Sequence, residues 1–213
     1  GRARPAPCDT AGSTRARTLP MAVSVIVLAA GQDSRMRSSR PKPLHLICGR
    51  PMVMHTIQAL EGLAIDRTVI VVGPDGERIT KKVHEQAPVW AKVTFVEQPV
   101  RRGSADAALV ALSTIEIDDV DDTSTVIVLP DDRPLLRRET LISLVHHHEA
   151  SGNAATIVTM RPDSAEGGRR VLRAPARSGE GRVMGILDPT RASAAPEPGS
   201  AETGAEAVAP VYA

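Results

Sequence analysis

The sequence predicts an α/β protein built on a mostly parallel central sheet, and three observations carry that expectation. Short runs of β-branched and apolar residues recur, and several are apolar at nearly every position, as strands buried on both faces must be. Segments with helical spacing lie between them. Strand and helix then alternate along the chain, the order that yields parallel strands joined by crossover helices.

The elements follow in order. Val23 to Ala30 (VSVIVLAA) is a buried strand closed by Gly31, and Met52 to Leu60 (MVMHTIQAL) is a helix opening after Pro51. Thr68 to Val72 is the next strand, Glu77 to Gln86 a charged helix, and Val93 to Val96 a third strand. The alanine-rich Ser104 to Ile115 is helical, Thr125 to Leu129 is a strand, Arg138 to Glu149 a helix, and Ala154 to Met160 a strand. Past Pro162 the pattern weakens, although Val183 to Leu187 still reads as a strand. Residues 189–210 mix Ala, Glu, Pro and Gly without periodicity, which predicts a flexible loop. The strand-like AVAPVYA then stops at residue 213 as though inside an element, so a domain truncated at its C-terminal end is expected.

A chain of 213 residues, 42% hydrophobic, suits one domain with a substantial core. Residues 1–20 hold four Arg and one Asp among Pro, Ala, Ser and Thr, a composition expected to be a disordered extension, with the domain running over 21–213. The net charge of +1 and the presence of only Trp90, Phe95 and Tyr212 as aromatics argue against a nucleic-acid partner. No apolar run reaches the roughly 20 residues of a membrane span, and no secretory leader is visible, so a cytoplasmic protein with no membrane partner is expected. Cys8, in a polar tail, and Cys48, in an apolar run, read as two inert thiols in a reducing compartment.

Parallel sheets bind ligands beyond the carboxyl ends of their strands, which singles out the loops after Ala30, Val96 and Leu129. In the first, Gly31 allows close backbone approach to a ligand, Arg35 and Lys42 bring fixed positive charge, and Pro41 and Pro43 stiffen the chain around Lys42. An anion cradle and a solvated basic loop both fit. In the second (EQPVRRGSADAA), Gln98 offers a donor and an acceptor to a base edge and Gly103 lets a base lie against the backbone, whereas spacing alone makes Ser104 a helix N-cap. In the third (VLPDDRPLL), Asp131 or Asp132 could ligate Mg²⁺ together with substrate phosphates, or form a polar turn with Arg133. His146, His147 and His148 point in different directions around a helix end and read as solvated rather than metal-binding.

With these loops in view, the segment LAAGQDSRMRSSRPKPLHLICGRPM is similar to the signature LAAGxGTRMxSxxPKxLHxxxGxPM of nucleotidyltransferases that make nucleotide sugars. Within that group the chain resembles the uridyltransferase domain of bacterial N-acetylglucosamine-1-phosphate uridyltransferases, well over Met21 to about Met160 and in scattered positions beyond. The resemblance implies a Rossmann-like three-layer nucleotidyltransferase fold. It also implies a reaction in which UTP and N-acetylglucosamine 1-phosphate give UDP-N-acetylglucosamine, a cell wall precursor, and pyrophosphate, with Mg²⁺ as cofactor. On that basis Leu28, Ala29, Ala30 and Gly31 line the nucleotide, and Arg35 and Lys42 hold its phosphates. Gln98, Gly103 and Ser104 contact the nucleoside, while Pro130, Asp131 and Asp132 meet the sugar phosphate, with Asp132 the Mg²⁺ ligand. The family's GYGRI is loosely met near Gly168, the implied sugar contact, and its sugar-binding glutamate by Asp188. The chain departs from the pattern at Asp33 and Asp131, where the family has glycines, and at Val208, where it has asparagine. No second metal ligand downstream and no acetyltransferase β-helix is present within the sequence. The other readings are the same chemistry with another base or acceptor, and a divergent nucleotide-binding paralogue without turnover.

Overall fold

The computed structural model describes residues 23–31, 36–115, 124–160, 170–174, 183–187 and 202–212. The expected N-terminal extension, Arg35, Gly168 and Asp188 lie outside them, as do Asp33 and the 189–201 part of the expected loop.

Strand β1 (Val23–Ala29) is central because nearly every side chain on it is apolar, and all but Leu28 are buried. It is followed by a two-stranded hairpin, β2 (Leu46–Ile47) and β3 (Arg50–Pro51), and by helix α1 (Met52–Gln58). Next come β4 (Ile65–Val72), α2 (Glu77–Gln86), β5 (Val93–Glu97), α3 (Ser104–Leu112), β6 (Thr125–Pro130) and α4 (Arg138–Ser151). Among these, β5, β4, β1 and β6 lie side by side in that order and run parallel, so the alternation read from the sequence does produce a parallel sheet flanked by helices.

Side chains alternate across this sheet and build a core on each face. Val23, Val25, Val27 and Ala29 of β1 pack with Val53 and Ile57 of α1, Ile79 and Val83 of α2, and Leu141 and Leu144 of α4. Ile26 and Ala30 face the other way, with Val69 and Val71 of β4, toward Ala107 and Ala111 of α3. The small residues of α3 let it lie close against that face.

Beyond β6 the sheet becomes antiparallel. Strands β7 (Ile157–Met160), β8 (Arg170–Arg173), β9 (Val183–Leu187) and β10 (Glu202–Tyr212) complete it, with β10 pairing antiparallel to β6, β7 and β8. The expected loop over 189–210 is therefore corrected for its last part: Glu202 to Pro210 belong to β10. This strand gains its stability from three partners rather than from its own composition, so local pattern does not reveal it. Val208 stands opposite Thr159 in that pairing. Cys48 is exposed: it occupies the two-residue turn of the β2–β3 hairpin with φ of 48°, followed by Gly49 at 78°. No helix among the described residues is long and apolar enough to cross a membrane.

Ile57 is fully buried between α1 and the sheet. Ile57→Ala should lower unfolding free energy by about 2–5 kcal/mol, read as a fall in the urea midpoint at unchanged slope.

Candidate functional site at the carboxyl ends of the parallel strands

Register fixes what meets at this rim. Ala29 lies level with Val72, Val72 with Glu97, and Leu28 with Pro130. The next residues, Ala30 and Gly31, Gly73, Gln98, and Asp131, therefore emerge together at one edge of the sheet. The order in which strands are laid down reverses between β1 and β6, since the path from β1 continues to β4 on one side and β6 lies on the other. A crevice opens at such a switch point, and it is where α/β sheets bind ligands.

The first and third loops meet there through charge. Lys42 sits in a tight helical turn, Lys42–Leu44, held between Pro41 and a buried Pro43, and Leu44 N donates to Pro41 O at 2.9 Å. Arg78 on α2 donates to Ser39 O at 3.3 Å, and His45 Nε2 lies 3.2 Å from Arg40 O, fixing the approach to that turn. Lys42 Nζ stands 2.7 Å from Asp132 Oδ2 and 3.7 Å from Asp131 Oδ1. Arg133 Nε is 3.7 Å from the other oxygen of Asp132. Arg133 thus partners Asp132 as the polar-turn reading has it, and Lys42 is a further partner that spacing along the chain could not show. Pro130 closes β6, and its carbonyl accepts from the buried Thr56 hydroxyl at 3.5 Å.

Asp131 is nearly sealed from solvent, with an exposure of 5%. Burial pushes its carboxyl up to about 6 from an ordinary 3.8; the Lys42 ammonium opposes that rise, and the adjacent Asp132 carboxylate adds to it. Asp131 thus sits in low dielectric with Lys42 as its cation, while the more exposed Asp132 is shared between Lys42 and Arg133.

The first and second loops meet through Arg101. Its Nε donates to Ala30 O at 2.8 Å and its Nη2 to Asp75 Oδ2 at 3.2 Å. The guanidinium crosses directly over Gly73, where a Cβ would come within 2.6 Å of Nη2. Gln98, 2% exposed, is anchored by its backbone N–H to Val72 O at 2.8 Å. Its Nε2 donates to Asp106 Oδ2 at 2.7 Å and to Gly103 O at 3.3 Å. Gly103 adopts φ of 120°, a conformation that side chains strain against, and the space its Cβ would fill is open. Gly31 likewise has open space beside it.

Leu28, Ala29, Ala30, Gly31, Lys42, Gln98, Gly103, Pro130, Asp131 and Asp132 all belong to this rim or the turns that close it. Ser104 does not cap α3 as its spacing suggested: it is the first helical residue, exposed, and Gly103 takes the cap position without a side-chain bond. Arg101, Gly73, Asp75, Asp106 and Thr56 were missed, because nothing in their local sequence distinguishes them from ordinary loop and helix residues. Among the described residues no cluster of three or more His, Cys, Asp or Glu could hold a metal, and His148 instead lies 2.9 Å from the Thr156 hydroxyl. A separate cleft of about 510 Å³ between the Lys42–Leu44 turn, the hairpin and α2 is lined by Arg40, Arg78, Lys81, Lys82 and Glu85 and contains none of the rim residues.

A parallel sheet in which a lysine and a carboxylate from separate loops meet at the switch point has a crevice suited to a phosphorylated ligand. The chain belongs to the MobA-like NTP transferase domain family, which it matches over residues 25–186. It is 40% identical over 165 residues to the bifunctional protein GlmU of Thermobifida fusca, covering 78% of this chain and 33% of that protein. It is 37% identical over 168 residues to the bifunctional protein GlmU of Methylococcus capsulatus, covering 79% and 33%. The chain therefore spans about a third of the length of these relatives. The structure of 4-diphosphocytidyl-2C-methyl-D-erythritol synthase from Anaerococcus prevotii shares the fold, with a TM-score of 0.52 at 14% identity over 91% of this chain and 70% of that one.

Because the folded chain holds the Asp131 proton to higher pH than the unfolded chain, stability attached to this group is full below about pH 4 and declines as pH rises through about 6. In chelator-treated protein, Asp131→Asn should therefore be more stable than the parent by about 1–3 kcal/mol at neutral pH, with the gain disappearing near pH 4 in thermal melts.

Proposed function

We propose that this domain couples UTP to N-acetylglucosamine 1-phosphate, forming UDP-N-acetylglucosamine and releasing pyrophosphate. The observation that carries the nucleotidyl transfer is the contact of Lys42 Nζ with Asp132 Oδ2 at 2.7 Å, across the switch point of the parallel sheet. The choice of uridine and of this sugar is supported by the kinship with the GlmU proteins.

A phosphate oxygen of the sugar phosphate attacks the α-phosphorus of the triphosphate, the bond to the β-phosphate oxygen breaks, and pyrophosphate departs. Little covalent work falls to the protein, so orientation and charge dominate. Lys42 stabilises charge gathering on the departing pyrophosphate, and Arg35 is assigned the same task from the resemblance. The glycine-lined backbone at Ala30 and Gly31 receives the nucleoside, Gln98 and Gly103 its base, and Ser104 its neighbourhood. On the acceptor side Pro130 and Asp131 border the sugar phosphate, with Gly168 and Asp188 assigned sugar contacts from the resemblance.

The donor set fits Mg²⁺. Two adjacent carboxylate side chains with hard oxygen donors match a cation that takes one or two carboxylates and completes its shell with phosphate oxygens and water. Asp132, the more exposed of the two, would hold it. Bound there, the ion supplies neutralisation of phosphate charge.

A second reading, nucleotide binding without turnover, is favoured by one observation: Lys42 faces two carboxylates, and the additional one is Asp131, where the family has glycine.

Pyrophosphate release from the natural full-length chain, assayed with each of the four ribonucleoside triphosphates and several sugar 1-phosphates, decides among these. Turnover with UTP and N-acetylglucosamine 1-phosphate is expected. Preference for another pair overturns the specificity, and magnesium-dependent UTP binding with no turnover favours the second reading. Lys42→Ala should lower kcat/KM by roughly 10²-fold or more, the scale of losing a fixed donor to developing charge. Undiminished turnover in that variant would remove Lys42 from the mechanism.

A further inference from the structure

The amide of Gln98 has only one hydrogen-bonding polarity left to offer. A carboxylate accepts and a carbonyl accepts, so the group within 2.7 Å of Asp106 Oδ2 and 3.3 Å of Gly103 O must be the NH₂ end. An amide nitrogen carries two hydrogens, and both are engaged by these contacts. Oε1 then points the other way. It has no hydrogen-bond partner among the described residues, yet the fully occluded side-chain atom lacking a partner among them is Thr68 Oγ1, so Oε1 of Gln98 reaches an opening despite the 2% exposure of its residue. Gln98 directly follows β5, level with Gly73 at the carboxyl-end rim of the sheet.

We propose that Asp106 is a positioning residue that sets nucleotide choice: by clamping the Gln98 amide through its nitrogen, it makes the buried wall of the crevice present an oxygen, a pure acceptor, to the incoming base. Such a wall accepts a base whose ring nitrogen carries a hydrogen, as in uracil, and penalises one whose ring nitrogen is itself an acceptor, as in cytosine. The penalty arises because two acceptors would face each other away from water, and a buried polar group left without a donor is costly. Asp106 also lies in the first turn of α3, where a carboxylate helps any helix, so stability alone cannot distinguish the two roles. The inference rests on the proposal that this crevice holds a nucleoside triphosphate.

The ratio of UTP to CTP affinity separates the roles, because a carboxylate that merely supports the helix would not move it. Equilibrium binding of UTP and of CTP, with magnesium, to the natural full-length chain should favour UTP by about tenfold or more. In Asp106→Ala the amide keeps only its longer contact with Gly103 O at 3.3 Å, and the ratio should fall severalfold, chiefly through gained CTP affinity. Asp106→Asn, which still offers an oxygen to Nε2, should keep most of the ratio. If the alanine variant does not fold, Asp106→Ser, too short to reach Gln98, gives the same reading. An unchanged ratio in the alanine or serine variant overturns the proposal, as does a parent protein that binds both nucleotides equally or neither. Because binding is the readout, the result stands whether or not the chain turns substrate over; absent pyrophosphate release with an intact, Asp106-dependent binding ratio would overturn the proposed reaction and leave this inference in place.

Discussion

Everything at the rim depends on the in-register parallel pairing of four strands, β5, β4, β1 and β6. Val23–Ala29 is flanked by Ile65–Val72 and Thr125–Pro130, and the levels at which these strands end decide that Ala30, Gly73, Gln98 and Asp131 surface side by side. Side-chain alternation on the same strands commits each face to its own helices, with α1, α2 and α4 on one and α3 on the other. The loops can then be irregular and polar, because their ends are held by a core that loops do not have to supply.

The charge arrangement follows from that frame. Asp131 is carried to a buried position by the strand it follows, not by any attraction it makes itself, and its desolvation is only partly offset by Lys42. Asp132, a residue further out, retains solvent and a closer contact with the same ammonium. Neighbouring carboxylates thus have different environments because one still belongs to the end of the strand and the other already to the loop. Such separation is characteristic of sites that handle charge.

Much of this was legible from the residues. Strand β1 announced itself by being apolar on both faces, α2 by its charged but periodic sequence, and the three loops by following buried strands. The family was legible in the segment from Leu28 to Met52, whose proline, lysine and glycine positions are set by a turn that must deliver Lys42 to Asp132. What could not be read was any feature created by the meeting of distant segments. Strand β10 is a strand because β6, β7 and β8 pair with it, and Cys48 is exposed because it lies in a tight hairpin turn at positive φ. Ser104 was assigned a cap by spacing, but Gly103 can adopt a backbone conformation that moves the helix start by one residue. Arg101 and Asp106 gain their meaning only from partners in other loops or from a buried amide.

One of these meetings constrains how the chain can change. The guanidinium of Arg101 occupies the volume that any side chain at position 73 would need. Position 73 can acquire a side chain only if the arginine is lost or swings aside, releasing the Ala30 carbonyl and Asp75 as it goes. A change at position 73 is thereby conditional on what the side chain at position 101 does, whereas position 101 can change while position 73 stays glycine.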